Sequence, residues 1–178
     1  MADPHRPATT GRNPASGSKW LDSEQLEAWK ALILLTQLLP GALDRQLQAD
    51  AGMAHSDYAV LAQLSAEPSH RMRMSDLAAT MDYSQSRLSH AMNRIEKLGW
   101  VKRDPCESDK RVFYAVLTEK GQSVLDGAAA GHVSHVRSLI FDHLSTNQVR
   151  QLRRIAEQIL PQLVASGGCG QNGSSSHG

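Results

Sequence analysis

Apolar residues recur along most of the chain at the three- and four-residue spacing of an α-helix, beginning with a segment that opens at Ser23. Ser23 suits a helix N-cap, and acidic residues follow it in the first turn, where the helix dipole favours them. Apolar residues then run from Leu26 to Leu39 on more than one face, which is typical of a helix buried between layers or between two chains. Pro40 and Gly41 predict a kink before the helix continues over residues 42–49.

A second helix is predicted over residues 57–66, and Pro68 ends it. Residues 71–73 then read as a short strand that pairs with a hairpin further along the chain. The apolar residues of the second helix that should face inward are Tyr58, Val60, Leu61 and Leu64.

Two short helices with a tight turn between them are predicted in the middle of the chain. Ser75 is expected to cap the first, residues 82–84 break it, and Ser84 is expected to cap the second. Gly99 then ends the second helix. The residues of this second helix that should face inward are Leu88, Ala91, Met92, Ile95 and Leu98.

The opposite face of the second short helix is polar and basic, with no acidic residue between Ser84 and Asn93. Such a face suits base edges and phosphates in a major groove, although a solvated helix surface has the same composition. Two short helices joined by a tight turn form a helix-turn-helix, which favours DNA contact over plain solvation. The candidate DNA-binding residues on this helix are Ser84, Gln85, Ser86, Arg87, Ser89, His90 and Arg94.

A basic hairpin is predicted directly after the helix-turn-helix. Residues 100–103 and 111–117 read as its strands, and residues 104–110 form a turn-rich loop between them. A hairpin at this place is the wing of a winged helix-turn-helix, so the expected fold is mainly α with a small β part. The candidate DNA-binding residues of the wing are Lys102, Arg103, Asp109, Lys110 and Arg111.

Residues 98–103, the Asp109-x-Arg111 motif and the Leu117-Thr118 pair together resemble the signature of the MarR family of bacterial transcription regulators. The resemblance covers about residues 25–163. It implies that Arg111 enters a minor groove and that Asp109 orients it, and the chemistry agrees, because a guanidinium suits the negative potential of a narrow minor groove.

The resemblance further implies a homodimeric repressor that binds an inverted-repeat operator in double-stranded DNA and is released by a small-molecule effector. In relatives, the effector lies in a cleft between the dimer helices and the winged domain. The expected lining residues are Trp29, Arg45, His55 and Tyr58.

A long helix is predicted after the hairpin, ending near Leu144, with a bend or break where Gly127 and Gly131 weaken it. Residues 145–148 should cap a last helix, which Pro161 is expected to kink or end. The first helix and the last two are more apolar than a small winged domain requires, which favours their use in a shared dimer interface. A two-fold dimer would set its recognition helices about 34 Å apart.

Composition predicts a single domain over residues 20–165 of the 178-residue chain, with disordered ends at 1–19 and 166–178. Within it, residues 20–55 and 119–165 are expected to dimerise around the winged segment 56–118. The net charge is only +1, but residues 71–111 hold 9 Lys/Arg and 6 Asp/Glu, a balance of +3. The positive charge therefore lies on the proposed DNA-binding segment.

Some residues also fit other functions. Cys106 at the wing could sense redox state or be a passive thiol, and His132, His135 and His143 could bind a metal or be structural. A helical interaction scaffold without DNA binding stays an alternative. The sequence contains no catalytic or cofactor motif, no apolar run of membrane-spanning length and no signal core, so a cytoplasmic protein that is not an enzyme is expected.

Overall fold

The protein is described by a computed structural model over residues 20–167, and the ends predicted to be disordered, 1–19 and the tail beyond Gly167, lie outside those residues. The fold is mostly helical with one small sheet, which confirms the predicted class. Its elements are α1 (Ser23–Ala51), α2 (His55–Ala66), β1 (Arg71–Arg73), α3 (Met74–Thr80), α4 (Gln85–Lys97), β2 (Val101–Pro105), β3 (Phe113–Leu117), α5 (Glu119–Leu139), a 3₁₀ turn (Phe141–His143) and α6 (Thr146–Gly167).

Two compact units divide the chain between Leu39 and Pro40, inside α1. α1 is one continuous helix. The part of it that belongs to the N-terminal unit exposes its large apolar side chains. They are Leu26, Trp29, Leu32, Leu34, Leu35 and Leu38.

By length and composition α1 could span a membrane, since an 18-residue window reaches a mean hydropathy of 1.2 with 6% of it buried. Its longest run without a charged residue, Ala31 to Leu43, has 13 residues. That run is about 20 Å of helix, shorter than a hydrocarbon core of about 30 Å. Leu43 and Leu47, in the same helix, are buried within the second unit. Contact with protein therefore accounts for the apolar surface better than contact with lipid.

The sheet of the second unit has the strand order β1-β3-β2, with every pair antiparallel. Arg71–Arg73 pairs with β3, as the sequence predicted. Ala115 and Leu117 point to the buried face, and Tyr114 and Val116 alternate with them on the other. The wing, formed by β2, β3 and their loop, thus has one face on the core and one face away from it.

The core of the second unit lies between α2, α3, α4, α5 and the buried face of the sheet. Each large aliphatic side chain buried there contributes about 1.5–3 kcal/mol relative to exposure. The fully buried members include Leu47, Val60, Leu61, Leu64, Leu77, Leu88, Met92 and Ile95.

The tight turn between α3 and α4 places Asp82 at φ 50°, a left-handed conformation that Asp tolerates better than most residues. The Tyr83 N–H closes the turn by donating to the Ala78 carbonyl at 2.9 Å. After α4, Gly99 adopts φ 74° and the Lys120 ammonium donates to the Leu98 carbonyl at 2.9 Å. Both ends of α4 are thereby fixed to their neighbours.

Local sequence signals were wrong at several helix boundaries. α5 runs unbroken through Gly127 and Gly131 because Ala128 and His132 are buried on its inner face, and it ends at Leu139 rather than near Leu144. α6 continues past Pro161 to Gly167, so residues 166–167 are helical rather than disordered. The backbone carbonyl that Pro161 leaves without a donor lies on an exposed helix, where water can bind it.

Three smaller predictions, about a helix cap, a buried leucine and the strand ends, were also wrong. Arg73, not Ser75, occupies the N-cap position of α3, and the Ser75 hydroxyl lies 3.0 Å from a carboxylate oxygen of Asp76. Leu98 is 46% exposed rather than buried, because α4 ends at Lys97. The strands of the wing begin at Val101 and Phe113, so Arg111 belongs to the turn.

Candidate nucleic-acid interface

α4 presents one apolar and one polar face because its apolar residues repeat at helical spacing. Ser84 caps it, accepting a hydrogen bond from the Arg87 N–H at 3.1 Å, as predicted. Leu88, Met92 and Ile95 are buried. At 100° per residue, the side chains farthest from that buried face are those of Ser86, His90, Asn93 and Lys97, all of them exposed.

A groove of about 530 Å³ separates α4 from the inner side of the wing. Three elements meet in it: the start of α3, one flank of α4 and the tip of the wing. Its lining residues are Met74, Ser75, Gln85, Ser89, Asn93, Arg103, Arg111, Val112 and Phe113. Polar and cationic groups from separate segments therefore converge on one open cleft.

Arg103 joins the wing to α4. Its guanidinium forms an ion pair with Glu96 and donates to the Asn93 amide oxygen at 2.8 Å, and its backbone N–H donates to Glu96 at 3.1 Å. The arginine is half-buried between the two elements. Arg103 consequently sets the position of the wing relative to α4, in addition to lining the groove.

Arg111 extends from the tip of the wing and is 91% exposed. Its Nε and Nη2 donate to the two carboxylate oxygens of Asp109 at 3.1 and 3.2 Å, and its backbone N–H donates at 3.0 Å. The hydrogen bonds from the Arg111 side chain hold the pKa of Asp109 below its usual range. The contact predicted from the two-residue spacing is therefore present, and the carboxylate stays ionised near neutral pH.

On the opposite flank of α4, the side chains of two arginines contact other residues of the protein. Arg94 donates to both carboxylate oxygens of Asp57, at 2.6 and 3.3 Å, and to the Ser56 hydroxyl at 3.1 Å. Asp57 is only 4% exposed, so Arg94 neutralises a buried charge on α2. Arg87 lies over the ring of Tyr83, with its guanidinium carbon 3.9 Å from the centroid.

The structure thus separates residues that the sequence grouped together. Gln85 and Ser89 line the groove, whereas the side chain of Arg94 is held on the α2 side. Lys102 lies on the outer side of the wing, and Lys110 is exposed at its tip. Ser75 and Asn93 were missed as lining residues, although Asn93 follows Ser89 at a four-residue helical spacing that would have identified it.

The residues predicted to line an effector site fall in two units. Trp29 belongs to the N-terminal unit and is about half exposed. In the second unit, the Tyr58 and His132 ring centroids are 4.3 Å apart, and the His55 ring lies 6.0 Å from that of His132. Arg45 is exposed on α1. Tyr58 and His55 therefore share one small aromatic cluster between α2 and α5.

Burial dominates the electrostatics of this cluster. It lowers the pKa values of His55 and His132 and raises the pKa of Tyr58. His132 Nδ1 lies 3.1 Å from the side-chain oxygen of Gln46, which ties α5 to α1. The neutral form of both histidines is favoured at neutral pH.

Cys106 and the histidines bear on two alternatives that the sequence leaves open, redox sensing and metal binding. Cys106 lies 3.2 Å from the Ser108 hydroxyl, and that hydrogen bond lowers the pKa of its thiol. Among residues 20–167, no three His, Cys, Asp or Glu side chains are arranged to hold a metal ion. His143 Nε2 lies 2.8 Å from the Ser138 carbonyl oxygen.

Comparison with known proteins gives a consistent result. A family model described as "MarR family" matches residues 51–112. The transcriptional repressor MprA of Escherichia coli K12 is 26% identical over 112 residues, covering 63% of this chain and 63% of MprA. The uncharacterized HTH-type transcriptional regulator YfiV of Bacillus subtilis (strain 168) is 30% identical over 121 residues, covering 67% of this chain and 73% of YfiV. The match thus spans less than two thirds of MprA's length.

Solved structures match over more of the chain. Sco3205, a MarR family transcriptional regulator from Streptomyces coelicolor solved in complex with DNA, is 43% identical with a TM-score of 0.79, covering 83% of this chain and 92% of Sco3205. AbsC, from the same organism, is 37% identical with a TM-score of 0.76, covering 82% and 98%. MprA, YfiV, Sco3205 and AbsC are all named as transcriptional regulators or repressors.

Proposed function

This chain belongs to the MarR family, and from that premise we propose that it is a sequence-specific, double-stranded DNA-binding transcriptional regulator. We propose further that it acts in the cytoplasm as a homodimeric repressor, rather than as an enzyme. The observation that carries the proposal is the groove in which one flank of α4 faces Arg111, an exposed arginine held by Asp109.

The groove has the chemistry that a DNA duplex requires. The major groove is about 12 Å wide and admits an α-helix, and the exposed ridge of α4 offers donors and acceptors from Ser86, His90 and Asn93. Gln85 and Ser89 lie on its flank, and the Arg111 guanidinium, held by Asp109 through Nε and Nη2, is 91% exposed and can enter a minor groove. Lys110 stands beside Arg111 for a phosphate contact.

Repression is proposed from the named activity of a relative. MprA is a transcriptional repressor, and Sco3205 was solved in complex with DNA. A repressor needs no contact with the transcription machinery, because occupying its operator is enough. The exposed polar ridge of α4 and the wing are sufficient for such a role.

A homodimer is proposed because α6 exposes an apolar stripe that the second unit does not cover. Leu152, Ile155, Ile159 and Leu163 follow one another at three- and four-residue spacing, and all four are exposed. A second copy would bury the same stripe by two-fold symmetry and place two α4 helices about 34 Å apart. The operator would then be an inverted repeat.

A small-molecule effector is proposed to act at the aromatic cluster of Tyr58, His55 and His132 in the second unit. An aromatic acid fits such a cluster, because its ring can pack on the aromatic side chains and its polar groups can form hydrogen bonds with the imidazoles. Titration of the protein–DNA complex with phenolic acids should release DNA in a saturable manner. A titration that changes neither DNA binding nor melting temperature would remove this part of the proposal.

The main experiment is fluorescence anisotropy of the purified protein with DNA from its own upstream region and with a scrambled duplex, over a salt series. Selective binding of two protomers per site is expected. Arg111→Ala should weaken binding and reduce the salt slope by about 1 per protomer. Arg137→Ala is the matched control, because Arg137 is also an exposed arginine paired with a nearby carboxylate, Asp142, at 2.8 Å.

Two results would contradict the proposed function. One is weak binding that is equal for both duplexes, which would favour a helical interaction scaffold. The other is an Arg111→Ala variant with the same affinity and slope as the Arg137→Ala control. Sedimentation equilibrium of the same samples reports the dimer separately from DNA binding.

A further inference from the structure

The side of the sheet turned away from the core carries positive charge that the groove does not use. Because paired residues of an antiparallel sheet share a face, the register places Arg73 and Asp104 on either side of Tyr114. It places Arg71 and Lys102 on either side of Val116 in the same way. We call these six residues the outer sheet face.

Tyr114 organises the cations of the outer sheet face. The guanidinium carbon of Arg71 lies 3.9 Å from the Tyr114 ring centroid, and Arg71 also pairs with Asp104 at 3.1 Å. Arg73 Nε donates to the Tyr114 hydroxyl at 3.3 Å. Three cations and one carboxylate give this face a net charge of +2.

The contacts inside the sheet account for only part of these charges, because Asp104 offsets one cation of the three. Arg71 and Arg73 are exposed and stand on the same face of a three-residue strand, and Lys102 is exposed on the far strand. Like charges that share one face of a sheet repel each other, so the fold gains little from all three. A ligand of opposite charge would account for them.

Residues of the outer sheet face are close along the chain to residues that line the groove. Arg73 directly precedes Met74 and Ser75, which line the groove, and Tyr114 follows Arg111 by three residues. A minor groove is about 6 Å wide, so a wing that enters it has one phosphate backbone on each side. In the proposed complex, one backbone would then face α4 and the other would face the outer sheet face.

We propose that the outer sheet face binds the phosphates of the DNA strand on the far side of the minor groove from α4. Arg71, Arg73 and Lys102 make sequence-independent contacts there, and Tyr114 fixes the two arginines for them. Asp104 weakens the contact, because it occupies Arg71 and repels phosphate. The inference rests on the proposed function and deepens it, since the ligand is the same duplex and the bound site is longer.

The test uses two duplexes that carry the same operator. Hydroxyl-radical footprints of the wild type and of Arg111→Ala first locate the base pairs that the wing covers. The short duplex ends at those base pairs, and the long duplex extends beyond them at both ends. The wild type should bind the long duplex more tightly and with a steeper salt slope.

The double variant Arg71→Gln/Arg73→Gln should lose this difference. Its salt slope on the long duplex should fall by about 2 per protomer, with little change on the short duplex. Arg71→Lys/Arg73→Lys keeps the charges and should keep the slope, which separates phosphate contact from a structural role. Arg137→Gln/Arg150→Gln removes two exposed arginines from α5 and α6 and is the matched control.

Asp104→Asn should have the opposite effect on the long duplex to that of the Gln double variant. Freed from its carboxylate, Arg71 should bind a phosphate, so affinity and slope on the long duplex should rise, the slope by about 1 per protomer. Asp142→Asn, which frees Arg137 in the same way, should change neither.

The failures are distinguishable. If the Gln double variant keeps the wild-type slope on the long duplex while Arg111→Ala still weakens binding, the inference is wrong and the proposed function stands. If neither duplex is bound selectively and Arg111→Ala changes nothing, the proposed function fails and the inference falls with it.

Discussion

The interior of the second unit and the surface of α6 are similarly rich in aliphatic residues but differ in what covers them. Leu61, Leu88 and Ile95 in the interior are fully buried, whereas Ile155 and Ile159 on α6 are 53% and 43% exposed. Both sets follow helical spacing. A periodic apolar pattern therefore shows that a helix has a face to bury, but it does not show whether the same chain or another chain buries it.

The largest expected effect comes from crowding the interior at Gly121. A Cβ atom there would stand 2.0 Å from the Trp100 carbonyl oxygen and 2.8 Å from a methyl of Leu117, so α5 must move. Gly121→Ala should lower the free energy of unfolding by about 3 kcal/mol or more, the upper end of overpacking costs. Gly127→Ala is the control on the same helix, since apart from its chain neighbours and its own helix backbone no atom of the described residues lies within 4 Å of its Cβ position.

Urea unfolding followed by circular dichroism measures both variants. Gly127→Ala should raise the free energy of unfolding by about 0.5–1 kcal/mol, because Ala favours a helix over Gly. Equal midpoints for the two variants would mean that α5 does not approach Trp100 as closely as the structure has it.

The second prediction concerns the surface of α6. Ile159→Glu puts a charge in the middle of the exposed stripe, where burial against a second chain would leave it without a partner. The variant should sediment as a monomer, and its melting temperature should no longer depend on protein concentration. The helix content per chain should stay close to that of the wild type.

Gln158→Glu adds the same charge about 100° around α6 and should leave the dimer intact. A dimeric Ile159→Glu variant would show that the stripe lies outside the interface. Loss of all helical structure in that variant would show instead that α6 belongs to the interior of its own chain.

The smallest effect concerns the polar groups inside the second unit. Burial lowers the pKa values of His55 and His132 below 6.5, so the unfolded chain takes up these protons at a higher pH than the folded chain. Stability should therefore be fully present above about pH 6.5, the unfolded pKa, and should fall as the pH drops towards the folded values. Thermal unfolding between pH 7.5 and pH 5 measures this fall.

His132→Phe keeps a ring against Tyr58 and removes one titrating group. Its melting temperature should fall less steeply over the same pH range. An identical pH dependence in wild type and variant would place the uptake of protons elsewhere in the chain.

Local signals in the sequence were sufficient for much of the fold. Ser84 caps α4 as predicted, and Asp109 binds Arg111, because each contact joins residues two or three positions apart. The same reasoning could not separate Arg94 from Arg111. The partner of Arg94 is Asp57, 37 residues away, and only the packing of α2 against α4 brings them together.

The predicted helix boundaries were wrong for a related reason. Gly127 and Pro161 weaken a helix in isolation, but tertiary burial of α5 and solvent access to α6 decide the outcome. The sequence predicted that α4 and the wing contribute to the groove, but not that α3 does. The chain turns at Arg73 and so brings the start of α3 into the groove. Spacing along one helix contains no information about which neighbour will face it.

The bonds from Arg103 to Glu96 and Asn93 have a mechanical consequence. They restrict the movement of α4 and the wing relative to each other, so in the proposed complex each protomer would present both elements to DNA at a fixed separation. A signal that turns binding off without breaking these bonds would have to move the two elements together, as one body. In a dimer, the signal would act on the distance between the two bodies. That distance must match the pitch of the double helix if both are to bind.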